Sequence, residues 1–277
     1  MSRPRVDPPV PATSVLVDLR NFTPNLNAAA LDPDGTNQFC HFLALFYAAT
    51  LEACMVALAP SEREEPTLSV NGTGDGLLVV FLGPRHYANG LLSAYLLEAG
   101  LRRCCDLRED STGLLPFVSF GVGVESGEVS RVRAGAGAAG VNTFIGHCVN
   151  VSARVEALTK IISNASVIIG DTNVEMCASA FYGENFNDLR AKERAERDDE
   201  RRIAIQKRMN EMNRELCLTF LDRYTLKGVD EPLPLYRPDD SATRPGVDRF
   251  RKLLEKLVDG DAQHLAEVVE HLGLDKA

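Results

Sequence analysis

Short apolar blocks, each ended by a polar or glycine-containing turn, fill the first two-thirds of the chain and predict strands interleaved with helices. Strands are expected at 14–18, 67–72, 77–81, 116–124, 128–133, 141–145 and 166–169. Longer stretches of helical composition cover about 36–58 and 86–106, the segment after Gly146 and a run from Asp171. Leu31-Asp32-Pro33-Asp34-Gly35 carries the Pro, Asp and Gly of a turn before the first long helix. Asn187–Leu216 departs from this rhythm. It is rich in Ala, Arg, Glu and Lys, which favour helix, and Ile205, Met209, Met212 and Leu216 form a narrow apolar stripe. A solvated single helix is one reading of that segment; an arm packing on a partner subunit is preferred, because the stripe needs a cover. After Pro238 a polar linker leads to two amphipathic helices, one marked by Phe250, Leu253, Leu254 and Leu257, the other by Leu265, Val268, Val269 and Leu272. They are too short for a core of their own and are expected to dock on the main domain or a dimer. The division is therefore a domain over 1–238, with a charged helical insertion at about 187–216, and a linker and tail over 239–277.

Two of the strands bring carboxylates to their ends. In Ser14–Thr23, Val15, Leu16 and Val17 run directly into Asp18. In Val70–Phe81, Gly74-Asp75-Gly76 separates Val70 from Leu77-Leu78-Val79-Val80-Phe81, the composition of a two-residue hairpin turn. If the strands are neighbours, Asp18 and Asp75 converge at one sheet edge. Each Asp alone reads as ordinary turn chemistry. As a pair they suit a hard divalent cation, since Mg²⁺ is commonly held by one or two carboxylates plus substrate phosphates.

A third segment, Asn142–Leu158, reads as a strand ending at Gly146 and then a helix. Asn150 and Arg154 lie four apart on one helical face. In isolation they would be a surface amide and a solvated guanidinium. Beside a carboxylate pair they fit phosphoryl transfer, in which one group orients a sugar and another takes up charge developing on phosphorus.

With these segments in order, the chain resembles the catalytic domain of class III nucleotidyl cyclases, the adenylate and guanylate cyclase family. The resemblance rests on Asp18-Leu19-Arg20-Asn21-Phe22-Thr23, on Gly74-Asp75, on the Gly-rich Phe120–Val129 with its Gly127-Glu128-Val129, on Gly146 through Arg154, and on Leu226–Pro232 followed by Leu235-Tyr236. It covers about residues 14–237. It implies an α+β, ferredoxin-like fold with an antiparallel-rich sheet and helices on one face. It also implies a homodimer with active sites shared across the interface, and two divalent metal ions, Mg²⁺ or Mn²⁺, on Asp18 and Asp75 with the Leu19 carbonyl. Arg20, Asn21, Phe22 and Thr23 would receive the triphosphate. From the other subunit, Asn150 would orient the ribose, Arg154 would stabilise the transition state and Lys227 would hold distal phosphates.

The base-selecting positions depart from the family. Asn71 stands where adenylate-specific members have Lys and guanylate-specific members Glu, and Thr143 stands where Asp or Cys is usual. A neutral amide and hydroxyl offer both donors and acceptors. With Val15 beginning the catalytic strand so close to residue 1, the chain resembles the stand-alone pyrimidine cyclases of bacterial antiphage defence. That points to UTP as substrate and to a separate effector that reads the cyclic product. Adenylate or cytidylate cyclase, and a non-catalytic nucleotide-binding module on the same fold, are the alternatives.

Composition changes this picture little. A net charge of −9 and 45% hydrophobic residues suit one substantial core and argue against nucleic-acid or anionic-membrane partners. No continuous apolar run approaches a membrane span and no signal peptide is evident, so a cytoplasmic location is expected. Seven cysteines without a C-x-x-C pair read as reduced thiols. Cys148 reads as a packing residue. His147 is the one histidine near the proposed chemistry, where a supporting role is preferred to a metal one.

Overall fold

The computed structural model describes residues 5–31, 33–64, 67–112, 119–134, 141–239 and 248–274. Gly135-Ala136-Gly137, the start of the strand expected at 116–124 and most of the linker after 239 lie outside them. The main path of a nine-stranded sheet runs β3-β4-β2-β5-β7-β9-β8. These strands are β2 (Val10–Arg20), β3 (Leu68–Gly72), β4 (Gly76–Leu82), β5 (Ser119–Ala134), β7 (Val167–Gly170), β8 (Leu218–Tyr224) and β9 (Leu233–Pro238). Two shorter strands, β1 (Arg5–Val6) and β6 (Val141–Ile145), pair with the far half of β5. Among the described residues all pairings are antiparallel except β5 with β7. The α+β, antiparallel-rich architecture is the one the sequence implies.

β5 is one continuous strand where the sequence suggests two. Ser126 and Gly127 do not turn, because each is paired in register, Ser126 with Thr13 and Gly127 with Ala12 of the eleven-residue β2. The long β2 thus sits between β4 and β5 and carries Asp18 near its end.

Strand alternation divides the sheet's two faces. Val15, Val17, Leu19, Val79, Val122 and Val124 point into the large core beneath α2 (Pro33–Ala57), α3 (His86–Thr112) and α5 (Asp171–Tyr182). α4 (His147–Leu158) packs on the opposite face, so the expectation of helices on one face holds for the main layer and not for α4. Glycines make this possible. A Cβ on Gly123 would stand 2.0 Å from the Ser152 carbonyl oxygen, and one on Gly121 would stand 2.3 Å from Glu156 Oε1.

Under α4 lies a fully buried carboxylate. Glu125 is 2% exposed and abuts Gly170, where a Cβ would clash with its Oε2. Burial, with a smaller push from Asp171, raises its pKa to about 8. The folded chain therefore keeps a proton that the unfolded chain loses above about pH 4.5, and stability falls as pH rises from there to about 8. Each pKa unit is worth about 1.4 kcal/mol. Glu125→Gln should remove most of this loss, stabilising the protein by a few kcal/mol at pH 9 and little at pH 5. Denaturant titrations of both proteins across that range check it, and parallel pH profiles would count against it.

The insertion is two helices, α6 (Phe186–Ala195) and α7 (Asp199–Glu215), separated at Asp198, whose side chain accepts from the Arg201 N–H. Its stripe is covered by its own chain, contrary to the partner-arm expectation. Met212 and Leu216 are fully buried in the main core, and Ile205 and Met209 pack against it. Arg190 anchors α6 by ion pairs to Asp171 (3.3 Å) and Glu175 (3.4 Å). The tail helices α8 (Asp248–Leu257) and α9 (Ala262–Leu272) dock on the main core, with Phe250 edge-on to Tyr95 at 5.1 Å and Arg63 paired to Glu267 at 2.7 Å.

Asp34–Ala57 of α2 is long and apolar enough to cross a membrane, with a mean hydropathy of 1.6, although the sequence shows no continuous apolar run. Ala and aromatic residues between its polar positions raise the average. One face of it, Phe39, Phe42, Phe46, Ala53 and Ala57, lies buried. Among the described residues no cysteine is in a disulfide, and Cys54, Cys148, Cys177 and Cys217 are buried.

Candidate active site

The end of β2 builds the site. Asp18 is paired with Gly76 of β4 on one side and Gly121 of β5 on the other. The next residue, Leu19, donates its N–H to the Asp75 carbonyl at 3.0 Å, which fixes the hairpin tip beside Asp18. The loop has three residues, Thr73–Asp75, one more than expected, and Thr73 N–H closes it on the Gly76 carbonyl at 2.9 Å. The glycine within it and the one that follows it serve different needs. Gly74 takes φ +99°, and a Cβ on Gly76 would lie 2.2 Å from the Val17 carbonyl oxygen.

Asp18 and Asp75 share a cavity of about 500 Å³ with Leu19 through Pro24 and Lys160. Asn21, at φ 59°, turns the chain from β2 into α1 (Phe22–Ala29), a left-handed position that asparagine tolerates. The N-cap residue of α1, Asn21, makes no side-chain capping hydrogen bond, and Phe22 and Thr23 of the first turn line the same cavity; the N–H groups of a helix start favour an anion. Arg20 is half-buried, and its Nε and Nη2 are enclosed without a hydrogen-bond partner among the described residues. Burial lowers its pKa against the pull of Glu156 and Asp18. Enclosed guanidinium donors with nothing to bind suit an anionic ligand.

Three residues that sequence reasoning did not single out support this cavity. Glu156 of α4 is 4% exposed, and its pKa is raised by burial and then by the Asp18 carboxylate. Lys160 pairs with Asp18 at 3.1 Å. Tyr47 of α2 donates its hydroxyl to the Gly74 carbonyl, and its pKa is raised by burial and by nearby Asp75. Phe22 packs its ring 5.4 Å from Phe39, so α2 braces both the α1 wall and the hairpin tip. Contacts between residues as far apart as 18 and 160 leave no local pattern in the chain.

The remaining expected residues form a separate group. Asn150 is exposed and Arg154 half-exposed, one turn apart on α4. Lys227 lies exposed in the turn between β8 and β9, and a Cβ on its neighbour Gly228 would be 3.7 Å from Arg154 Nη2. The chain thus joins Arg154 to the Lys227 turn. None of the three lines the Asp18 cavity. From Leu158, the last residue of α4, Arg154 and Asn150 lie back along the helix by roughly 6 and 12 Å, at about 1.5 Å per residue.

Asn71 sits half-buried on the edge strand β3 opposite Leu78, its Nδ2 enclosed without a partner. Thr143 sits on β6 opposite Val132. The two are on different strands of the sheet, and neither lines the cavity. His147 is exposed at the start of α4, and Cys148 is buried in a small core with Phe144.

The donor set fits a hard divalent cation. Asp18 and Asp75 offer carboxylates, and the Leu19 carbonyl shares the strand edge of its N–H, toward Asp75. The ammonium of Lys160 already rests on Asp18, so the position accepts positive charge. Among the described residues no group of three or more His, Cys, Asp or Glu side chains could hold a metal alone. An ion here would complete its shell with water and phosphate oxygens.

No protein-family model and no curated protein matches the chain. Solved structures do. A bacterial light-regulated adenylyl cyclase superposes with TM-score 0.55 at 15% identity, over 95% of this chain and 59% of that one. The guanylyl cyclase Cya2 superposes with TM-score 0.53 at 17% identity, over 83% of this chain and 92% of that one. The fold is that of the class III cyclase catalytic domain. This chain spans about three-fifths of the length of the light-regulated cyclase. On the cyclase fold, the strand-edge carboxylates and the α4 pair occupy two distinct surfaces of a single chain.

Proposed function

We propose that this protein is a homodimeric nucleotidyl cyclase. It converts a nucleoside triphosphate, UTP by preference, to the 3′,5′-cyclic monophosphate and pyrophosphate. The observation that carries the reading is the cavity in which Asp18 and Asp75 stand beside the uncapped start of α1 and the unpaired Arg20 donors. Carboxylates for metal next to N–H and guanidinium donors for phosphate are what a metal–triphosphate complex requires.

Asp18, Asp75 and the Leu19 carbonyl would hold two Mg²⁺ or Mn²⁺ ions, which supply counter-charge to the phosphates and make the ribose 3′-hydroxyl easier to deprotonate. Arg20 and the N–H groups of Phe22 and Thr23 fix the triphosphate, with the α-phosphorus in line between the 3′-oxygen and the departing pyrophosphate. Asn150 of a second copy holds the ribose. Arg154 of that copy meets the negative charge that grows on the phosphoryl oxygens, and Lys227 takes the distal phosphates. Because the two groups of residues lie on separate surfaces, one copy cannot complete a site, and a two-fold dimer completes two.

The base reading rests on Asn71 and Thr143. Uracil presents an N3–H donor and an O4 acceptor, which an amide meets with its oxygen and nitrogen. The Asn71 amide is half-buried on the edge strand β3, and its side chain must turn outward to meet a base. The same departure from purine-selecting residues supports a place in antiphage defence, with cyclic UMP read by a separate effector. Equimolar ATP, GTP, CTP and UTP with Mn²⁺ should yield cyclic UMP as the major product. A purine product dominating by tenfold, about 1.4 kcal/mol of transition-state preference, would overturn the base reading and leave the cyclase reading standing. The defence role predicts a rise in cellular cyclic UMP on infection, and unchanged levels would count against it.

A further inference from the structure

Lys160 stands two residues beyond the end of α4 and lines the same cavity as the carboxylate pair. Its Nζ lies 3.1 Å from Asp18 Oδ2 and 3.9 Å from Glu156 Oε1. The Asp18 side chain is 20% exposed and that of Lys160 49%, so the ammonium reaches a sheltered carboxylate from the solvent side. We propose that Lys160 is a tethered counter-ion that competes with divalent metal for Asp18, so that the cavity admits free metal reluctantly and metal carried on a polyphosphate readily. This rests on the assignment of Asp18 as a metal ligand.

The physical reason is charge. A carboxylate engaged by an ammonium gives up that contact when a divalent ion binds, and an ammonium left within about 4 Å of the ion is repelled by it. Without an anion in the cavity, the displaced Lys160 retains only Glu156, which is itself buried and raised in pKa by burial and Asp18. A polyphosphate brings new oxygens to the same cavity, next to the unpaired Arg20 donors, and gives the ammonium a partner. Metal and polyphosphate then favour each other's binding, a coupling that must be reciprocal. Lys160 acts through Asp18 and through charge, and is a positioning residue.

The test is binding of Mn²⁺ alone to the nucleotide-free protein, read by electron paramagnetic resonance of the free ion. Lys160→Met should tighten Mn²⁺ binding on the order of tenfold. Lys160→Gln should do the same, and Lys160→Arg should keep the wild-type affinity. Circular dichroism confirms that each variant is folded, as expected for a half-exposed residue past a helix end. Unchanged or weaker Mn²⁺ binding in both neutral variants overturns the proposal. An Asp18→Asn control separates it from the reading beneath it. If Asp18→Asn loses Mn²⁺ while the Lys160 variants match wild type, only the role of Lys160 fails. If Asp18→Asn binds Mn²⁺ as wild type does, the metal assignment fails as well, and if no protein binds it, the role of Lys160 fails.

Discussion

Asp75→Ala is expected to lower turnover by about a thousandfold or more, some 4 kcal/mol of transition-state stabilisation, while leaving fold and dimer intact. Asp75 lies half-exposed at the hairpin tip, and its backbone, not its carboxylate, holds the turn in place. The bonds from Leu19 N–H to the Asp75 carbonyl and from Thr73 N–H to the Gly76 carbonyl survive the substitution. No buried volume is lost, so the unfolding free energy should shift by less than about 1 kcal/mol. Loss of activity with retained stability is therefore a statement about the carboxylate. Initial rates with saturating Mn²⁺, beside a denaturant titration, check both halves. Near-wild-type turnover would remove Asp75 from the metal site.

The convergence of Asp18 and Asp75 is legible in the chain because glycine spacing and the apolar run from Leu77 to Phe81 leave a hairpin as the local solution, and the valines before Asp18 demand a neighbouring strand. The Asn150–Arg154 face is legible for the same kind of reason, a helical period after a strand-ending glycine. The tail is legible at residue level: Phe250, Leu253, Leu254 and Leu257 are all buried, as their spacing requires. Lys160, Glu156 and Tyr47 were out of reach, because each acts through a contact between distant segments. The side of the sheet taken by α4 was hidden too. Gly121 and Gly123 lie in an expected strand, and nothing in the chain tells that the Ser152 carbonyl and Glu156 stand where their Cβ atoms would be. The apolar stripe of the insertion marked a buried surface, but the cover expected for it, a partner subunit, was the wrong one. The core of the same chain competes for that surface at no cost in association entropy, and it is the core that buries Met212 and Leu216.

Mixing two inactive chains should restore activity. Asp18→Ala removes the strand-edge half of the site and leaves α4 whole, and Arg154→Ala does the reverse. Asp18 lies on the cavity wall, while Arg154 lies beside Gly228 and away from that cavity. In a two-fold dimer each site takes Asp18 from one copy and Arg154 from the other. A mixed dimer then holds one site with both defects and one with neither. After random exchange of equal amounts, half of the dimers are mixed and half of their sites are whole, so about a quarter of wild-type activity is expected. Mass spectrometry of the intact mixture establishes that subunits have exchanged. Cyclic nucleotide formation is then measured for each variant alone and for the mixture. The shared-site account predicts negligible product from either variant alone and about a quarter of the wild-type rate from the mixture; no recovery despite proven exchange would contradict it.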